Sequence, residues 1–138
     1  MVKYNVKEKA VKDPAYRKRV SKEMGDQLKK LIIQKIVTEK KYKDPEYSAK
    51  KLAADINTNT RYISAVFNVK MNCNYSEFVN KQRVNEAMEM LIDKNYKDKT
   101  MVDIAKMVGF KNRQSFYAAF YRFNKTSPHE FKVSQQKD

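Results

Sequence analysis

Ile104-Ala105-Lys106-Met107-Val108-Gly109-Phe110, running on into Lys111-Asn112-Arg113-Gln114-Ser115-Phe116-Tyr117-Ala118-Ala119-Phe120, decides the fold. Apolar residues recur three or four apart on either side of Gly109, which is the pattern of two short helices hinged at a turn. The same plan occurs about fifty residues earlier, as Leu52-Ala53, Asn57, Ile63, Phe67 and Phe78 against Ile104-Ala105, Gly109, Phe116, Phe120 and Phe131. Phe67 to Phe78 and Phe120 to Phe131 are both eleven positions; Asn57 to Ile63 is six and Gly109 to Phe116 seven, so the second copy has one extra loop residue. Each copy reads as a short helix, a tight turn, an anchored second helix and a return segment, which is a helix-turn-helix unit.

Composition narrows what such a pair can do. Thirty Lys+Arg against sixteen Asp+Glu give a net charge of +14 over 138 residues. That excess favours a polyanion such as nucleic acid, although an anionic membrane surface would also satisfy it. Two Gly and three Pro are too few for the many turns of a β-sandwich, and the fold class expected is all-α. One cysteine excludes an internal disulfide and suits a reducing compartment. No apolar run approaches the roughly 20 residues of a membrane span, and no signal-peptide core follows the basic N-terminus, so a cytoplasmic location and no membrane partner are expected.

The remaining elements follow from caps and periodicity. Residues 1–13 are lysine-rich and apolar-poor, and Asp13-Pro14 opens a helix. Val20, Met24, Leu28, Leu31, Ile32 and Ile36 form its apolar stripe, interrupted at Gly25, where it divides into two helices; Lys43-Asp44-Pro45 ends it. Ser48, Asn59, Ser76, Thr100, Asn112 and Ser127 are the expected N-caps. Asn57 and Asn72 suit left-handed turns. A long helix from Ser76 to about Asp93, burying Phe78, Val84, Ala87, Met88 and Leu91, connects the two copies. The expected organisation is 1–25 as a basic, partly helical extension, 26–75 as the first subdomain, 76–93 as connector, 94–133 as the second subdomain and 134–138 as a polar tail.

A recognition helix buries one face and offers the other to base edges in the major groove. With Ile63 and Phe67 inward, the first copy offers Arg61, Ser64, Ala65 and Asn68; the second offers Arg113, Gln114, Tyr117, Ala118 and Tyr121. Arg61 and Arg113 suit guanine O6 and N7, Gln114 suits adenine, Ser64 can donate or accept, and Ala65 can meet a thymine methyl. Tyr117 could pack on bases or bond to phosphate. Asn59, Thr60, Asn68, Lys111 and Asn112 are phosphate candidates.

These residues closely resemble the DNA-binding domain of the AraC/XylS-type bacterial transcription regulators over about Asp26 to Val133. The second copy carries the most specific match, through Ile104-Ala105, Val108-Gly109-Phe110, Gln114-Ser115-Phe116, Phe120 and Ser127-Pro128-His129-Glu130-Phe131. Arg83-Val84, Ala87 and Leu91 look like the connecting helix of that family. The resemblance implies two homeodomain-like helix-turn-helix subdomains, with one monomer entering successive major-groove segments of double-stranded DNA. It also implies base contacts from Arg61, Ser64, Ala65, Arg113, Gln114, Tyr117 and Ala118, and RNA polymerase as a further partner. Ala65 and Ala118 depart from the longer polar residues common there; Asn72 and Lys125 replace glycines. With about 25 residues ahead of the match, the expectation is a stand-alone regulator or the C-terminal part of a longer sensor protein.

Enzymatic chemistry is not expected. His129 is the sole histidine and lies beside Pro128; Cys73 is the sole thiol, with no partner set for zinc or nucleophilic catalysis. No cofactor and no metal are expected. The rival readings are a basic helical adaptor for an acidic partner and a nonspecific DNA-binding module.

Overall fold

The computed structural model describes residues 14–136, with side chains from Lys22 onward. The chain divides into two compact units: one takes the described residues up to Glu39 and then Tyr47–Tyr75, and the other takes Lys40–Glu46 and the chain from Ser76. Among the described residues there are seven α-helices and no strand. The expected opening at Asp13 and the expectations for residues 1–13 lie outside the described residues.

In the first unit, α1 spans Pro14–Ile33 and passes through Gly25 without a break. Gly25 does not divide the helix: one glycine in a helix interior costs only about 1 kcal/mol against alanine, and Lys70 occupies the space beside it, its Cε 3.0 Å from where a Cβ would sit. Lys70 Nζ continues to Asp26, 2.9 Å away, and that lysine bond holds the Asp26 carboxyl below its ordinary 3.8. Leu28, Ile32 and Ile36 form the buried stripe, but Leu31 is 41% exposed and faces outward. The helix widens into a π-turn at Gln34–Thr38 and ends there, before Lys43-Asp44-Pro45. Lys40, at φ 56°, redirects the chain into a 3-10 turn over Lys41–Lys43.

Ser48 caps α2 (Ala49–Asp55) by accepting from Lys51 N–H, and Leu52, Ala53 and Ile56 are buried. Asn57 makes the turn at φ 59°. Asn59 caps α3 (Thr60–Val66), which buries Ile63 and Val66 and widens into a π-turn at Phe67–Met71. Asn72, at φ 54°, closes it by donating its N–H to Phe67 O. The buried Tyr47 hydroxyl donates to Asp55 Oδ2 at 2.7 Å; burial, reinforced by that bond, raises the phenol pKa and keeps it a donor.

Helix α4 (Tyr75–Ile92) starts one residue earlier than expected, so Ser76 lies in its first turn and is not its cap. Its buried residues are Val79, Val84, Ala87, Met90 and Leu91; Phe78 and Met88 are only half-buried. Val84, Ala87 and Leu91 keep the helical spacing, Met90 completes their face, and Met88 packs at its margin. Asp93 then caps a 3-10 turn at Lys94–Tyr96.

Helix α5 (Met101–Val108) opens with a capping box: Thr100 Oγ1 accepts from Asp103 N–H while Asp103 accepts from Thr100 N–H, both at 3.0 Å. Gly109 turns the chain at φ 113°. Asn112 caps α6 (Arg113–Asn124), and a second capping box, Ser127 with Glu130, opens α7 (Pro128–Gln135) with proline in the first turn. Phe116 and Phe120 are fully buried, and Phe120 meets Phe131 at 5.6 Å between ring centroids.

The Lys40–Glu46 strap belongs to this second unit, although it precedes α2 in the chain. Arg83 on α4 donates from Nε to Tyr42 O at 2.6 Å and from Nη2 to Asp44 O at 3.2 Å. Tyr42 is buried and its hydroxyl donates to Glu86 Oε1 at 2.7 Å; burial and then that bond raise its phenol pKa. Lys43 Nζ reaches the other Glu86 oxygen at 3.1 Å.

Candidate nucleic-acid interface

Two local facts set up each recognition surface: a residue of positive φ before the helix and an asparagine at its start. The Asn59 side-chain oxygen accepts from Tyr62 N–H at 2.9 Å, and the Asn112 oxygen accepts from Ser115 N–H at 2.8 Å. Each bond satisfies one of the otherwise unpaired amides at a helix start and fixes where the first turn begins.

Counting from these caps puts the two surfaces in register. Ile63 and Phe67 on one side, and Phe116 and Phe120 on the other, occupy the same cap-relative positions, and all four are buried. Thr60 then corresponds to Arg113, Arg61 to Gln114, Ser64 to Tyr117, Ala65 to Ala118 and Asn68 to Tyr121. Arg61, Ser64, Ala65 and Asn68 are exposed, as are Thr60, Arg113, Gln114 and Ala118; Asn59 and Tyr117 are half-buried. The arginines are therefore one position out of step: one stands second after its cap, the other first.

The surfaces also differ in bulk. The first unit's surface carries a short alcohol and a methyl, flanked by Val69, which is 72% exposed and was not singled out from the sequence. Its spacing of four from Ala65 is the signal that could have found it. Ala65 and Val69 also line an apolar groove of about 310 Å³ with Met24, Leu28, Tyr62 and Val66. The second unit's surface carries Tyr117 and the 58% exposed Tyr121 in one row with Arg113. The Arg113 guanidinium lies 4.4 Å from the Tyr117 ring centroid.

Charge at the second surface is partly met within its unit. Lys111 Nζ is 3.6 Å from Glu46 on the strap, with both side chains well exposed, a weak pair that water and salt screen. Arg122 on α6 bonds Glu77 at 3.0 Å. Asn112 is exposed beside Lys111. His129 is exposed at the start of α7, and Cys73 is half-buried in the turn before α4. Among the described residues no helix is long and apolar enough to cross a membrane.

This arrangement defines a tandem helix-turn-helix protein. A family described as a helix-turn-helix domain matches residues 52–133. The chain belongs to the AraC-type helix-turn-helix family. It is 29% identical over 87 residues to the melibiose operon regulatory protein of Escherichia coli, a match covering 62% of this chain and 28% of that protein. The chain thus spans little more than a quarter of that relative's length. Among solved structures, the C-terminal domain of AraT, a response regulator from Geobacillus stearothermophilus, superposes with a TM-score of 0.68 at 20% identity, covering 78% of this chain and 84% of that one. The C-terminal domain of the response regulator yesN from Fusobacterium nucleatum gives 0.67 at 21% identity, covering 75% and 96%. At those identities the likeness is one of fold.

Proposed function

We propose that this chain is a sequence-specific, DNA-binding transcription regulator whose two recognition helices enter successive major-groove segments of one duplex. The observation that carries this reading is the repeated surface: two helices, each capped by Asn, each burying its anchors and presenting polar side chains outward, on a chain of net charge +14. A charge-driven adaptor would need the lysines but not the repeated geometry.

In this reading Arg61, Ser64 and Ala65 read bases from the first unit, and Arg113, Gln114 and Ala118 from the second; Tyr117, which the resemblance also places among the base readers, stands beside Arg113 in that row. Asn59, Thr60, Asn68, Lys111 and Asn112 hold phosphates. Because the two rows differ residue by residue, the site bound by a single chain is asymmetric. The reading takes the protein to work on DNA as a monomer, with RNA polymerase as the further partner, and assigns no catalytic step.

Selection of duplexes from a random pool, followed by footprinting and mass measurement of the complex, tests it. The expected result is a 1:1 complex protecting two unlike half-sites about 10 bp apart. A palindromic site with two chains per duplex, or a pool that yields no preferred sequence, would overturn it. On the selected site, Arg113→Ala and Gln114→Ala should each cost about 1–3 kcal/mol while sparing random DNA. Lys111→Ala should weaken all duplexes alike and flatten the salt dependence.

A further inference from the structure

Tyr117 stands in the middle of the outward row of α6, yet its ring is also committed to the protein. It packs on the core of the second unit and meets the fully buried Phe116 edge-on, with ring centroids 5.8 Å apart. A ring held in this way has little freedom to move. The guanidinium of Arg113, one helical turn earlier, lies against it at 4.4 Å. Residues four apart on a helix are neighbours on its surface, so this contact follows from the spacing alone.

We infer that Tyr117 acts as a positioning residue: its ring is a fixed plate that sets the guanidinium of Arg113 for base readout, and its hydroxyl makes no essential contact with DNA. A guanidinium lying flat on a ring has one face covered and keeps its in-plane N–H donors for other partners. A bidentate bond to guanine O6 and N7 needs those in-plane donors. An exposed arginine at the first position of a helix would otherwise sample many rotamers and lose that freedom on binding; a stacked one has lost part of it already. The cap-matched pair in the first unit, Thr60 and Ser64, contains neither a ring nor a guanidinium, so the device is not repeated at those two positions.

The inference rests on the reading of α6 as a base reader, and the test separates the two. The full chain would be made as Arg113→Ala, Tyr117→Phe, Tyr117→Leu and the double variant Arg113→Ala/Tyr117→Leu. Leucine keeps apolar bulk against Phe116 but has no aromatic face. Affinities would be measured for the selected duplex and for a random one, together with the NMR order parameter of the Arg113 Nε–H bond in the protein without DNA.

Tyr117→Phe should bind the selected duplex within about twofold of the parent and leave the Arg113 order parameter unchanged. Tyr117→Leu should lose roughly three- to tenfold on that duplex only, with a lower order parameter. The double variant should be no weaker than Arg113→Ala. Three outcomes would overturn the positioning role: Tyr117→Phe as damaging as Tyr117→Leu, additive losses in the double variant, or an Arg113 side chain equally mobile in parent and Tyr117→Leu. If Arg113→Ala instead leaves specific binding intact, the base-reading assignment itself fails, whatever the order parameter shows.

Discussion

The two helix-turn-helix units solve the same turn with different residues, for different reasons. Asn57 turns the first at φ 59°, inside the left-handed region that asparagine tolerates. Gly109 turns the second at φ 113°, beyond that small region and reached by residues with side chains only under strain. Space gives a second reason. A Cβ on Gly109 would collide with Tyr42 O and lie 2.8 Å from Arg83 Nε and 3.0 Å from Lys43 Cα. The strap and its arginine clamp occupy the volume a side chain would need. The lesson is that equal positions in a repeat need not carry equal constraints, since a segment packed from elsewhere in the chain can tighten one copy.

The largest test concerns what the copies share. Phe67 and Phe120 are 1% and 0% exposed, so alanine at either should cost about 3–5 kcal/mol by opening a cavity. Denaturant titration would measure both, and a cost below about 1 kcal/mol at one of them would break the equivalence of the two anchors. The turns should separate next. Gly109→Ala is expected to cost about 3 kcal/mol or more, combining backbone strain with the clash against Tyr42 O. Asn57→Ala should cost only about 1 kcal/mol. Equal losses would mean that the strap yields and that the contrast has no energetic content.

A smaller contrast lies after each recognition helix. Asn72 and Lys125 are both left-handed, at φ 54° and 58°. Lysine bears the steric cost more fully, so Lys125→Gly should stabilise by roughly 0.5–1 kcal/mol and Asn72→Gly by less. Thermal melts of the pair give the order directly; destabilisation by Lys125→Gly would show that the lysine stem contributes packing there.

The smallest effect is one of pH. Both capping boxes belong to the second unit. Backbone and then side-chain bonds from Thr100 hold the Asp103 carboxyl below its ordinary 3.8, and bonds from Ser127 hold Glu130 below 4.5. A carboxyl lowered in the folded state stabilises above its ordinary value and loses that contribution as the pH falls through the folded one. Asp103→Asn and Glu130→Gln should therefore flatten the fall in melting temperature below about pH 4.5. The neutral caps Ser48 and Asn59 make no such contribution, and the acid response of the first unit should instead follow Asp26 and its bond to Lys70. If the fall below pH 4.5 is equally steep without the two boxes, they do not set it.

Much of this was legible in the chain because caps and anchors are local. Ser48, Asn59, Thr100, Asn112 and Ser127 bond to amides three residues on, and periodicity alone picks out Ile63, Phe67, Phe116 and Phe120. Ser76 misled because its residue type suits a cap while the helix had already begun at Tyr75. Gly25 misled for the opposite reason: the low helix propensity of one glycine is a weak signal, too small to end a 20-residue helix. The strap could not be read at all, since Arg83 and Tyr42 are 41 positions apart and nothing in the 40–46 segment announces the pairing. At the interface, the outward rows were legible from helical spacing. The role of Tyr117 beside Arg113 needed the ring's commitment to Phe116, which only the packed core reveals.

The clamp by Arg83 has a consequence for how this chain can change over time. It grips the carbonyls of residues 42 and 44, groups that every amino acid carries, so most replacements in the strap leave those two bonds available. Lineages can therefore alter the side chains at 41, 43, 44, 45 and 46, and with them the charge set beside Lys111, without undoing the clamp. Arg83 and Gly109 have no such latitude. Two residues 26 positions apart thus hold the backbone of a segment whose own side chains, apart from buried Tyr42, face solvent.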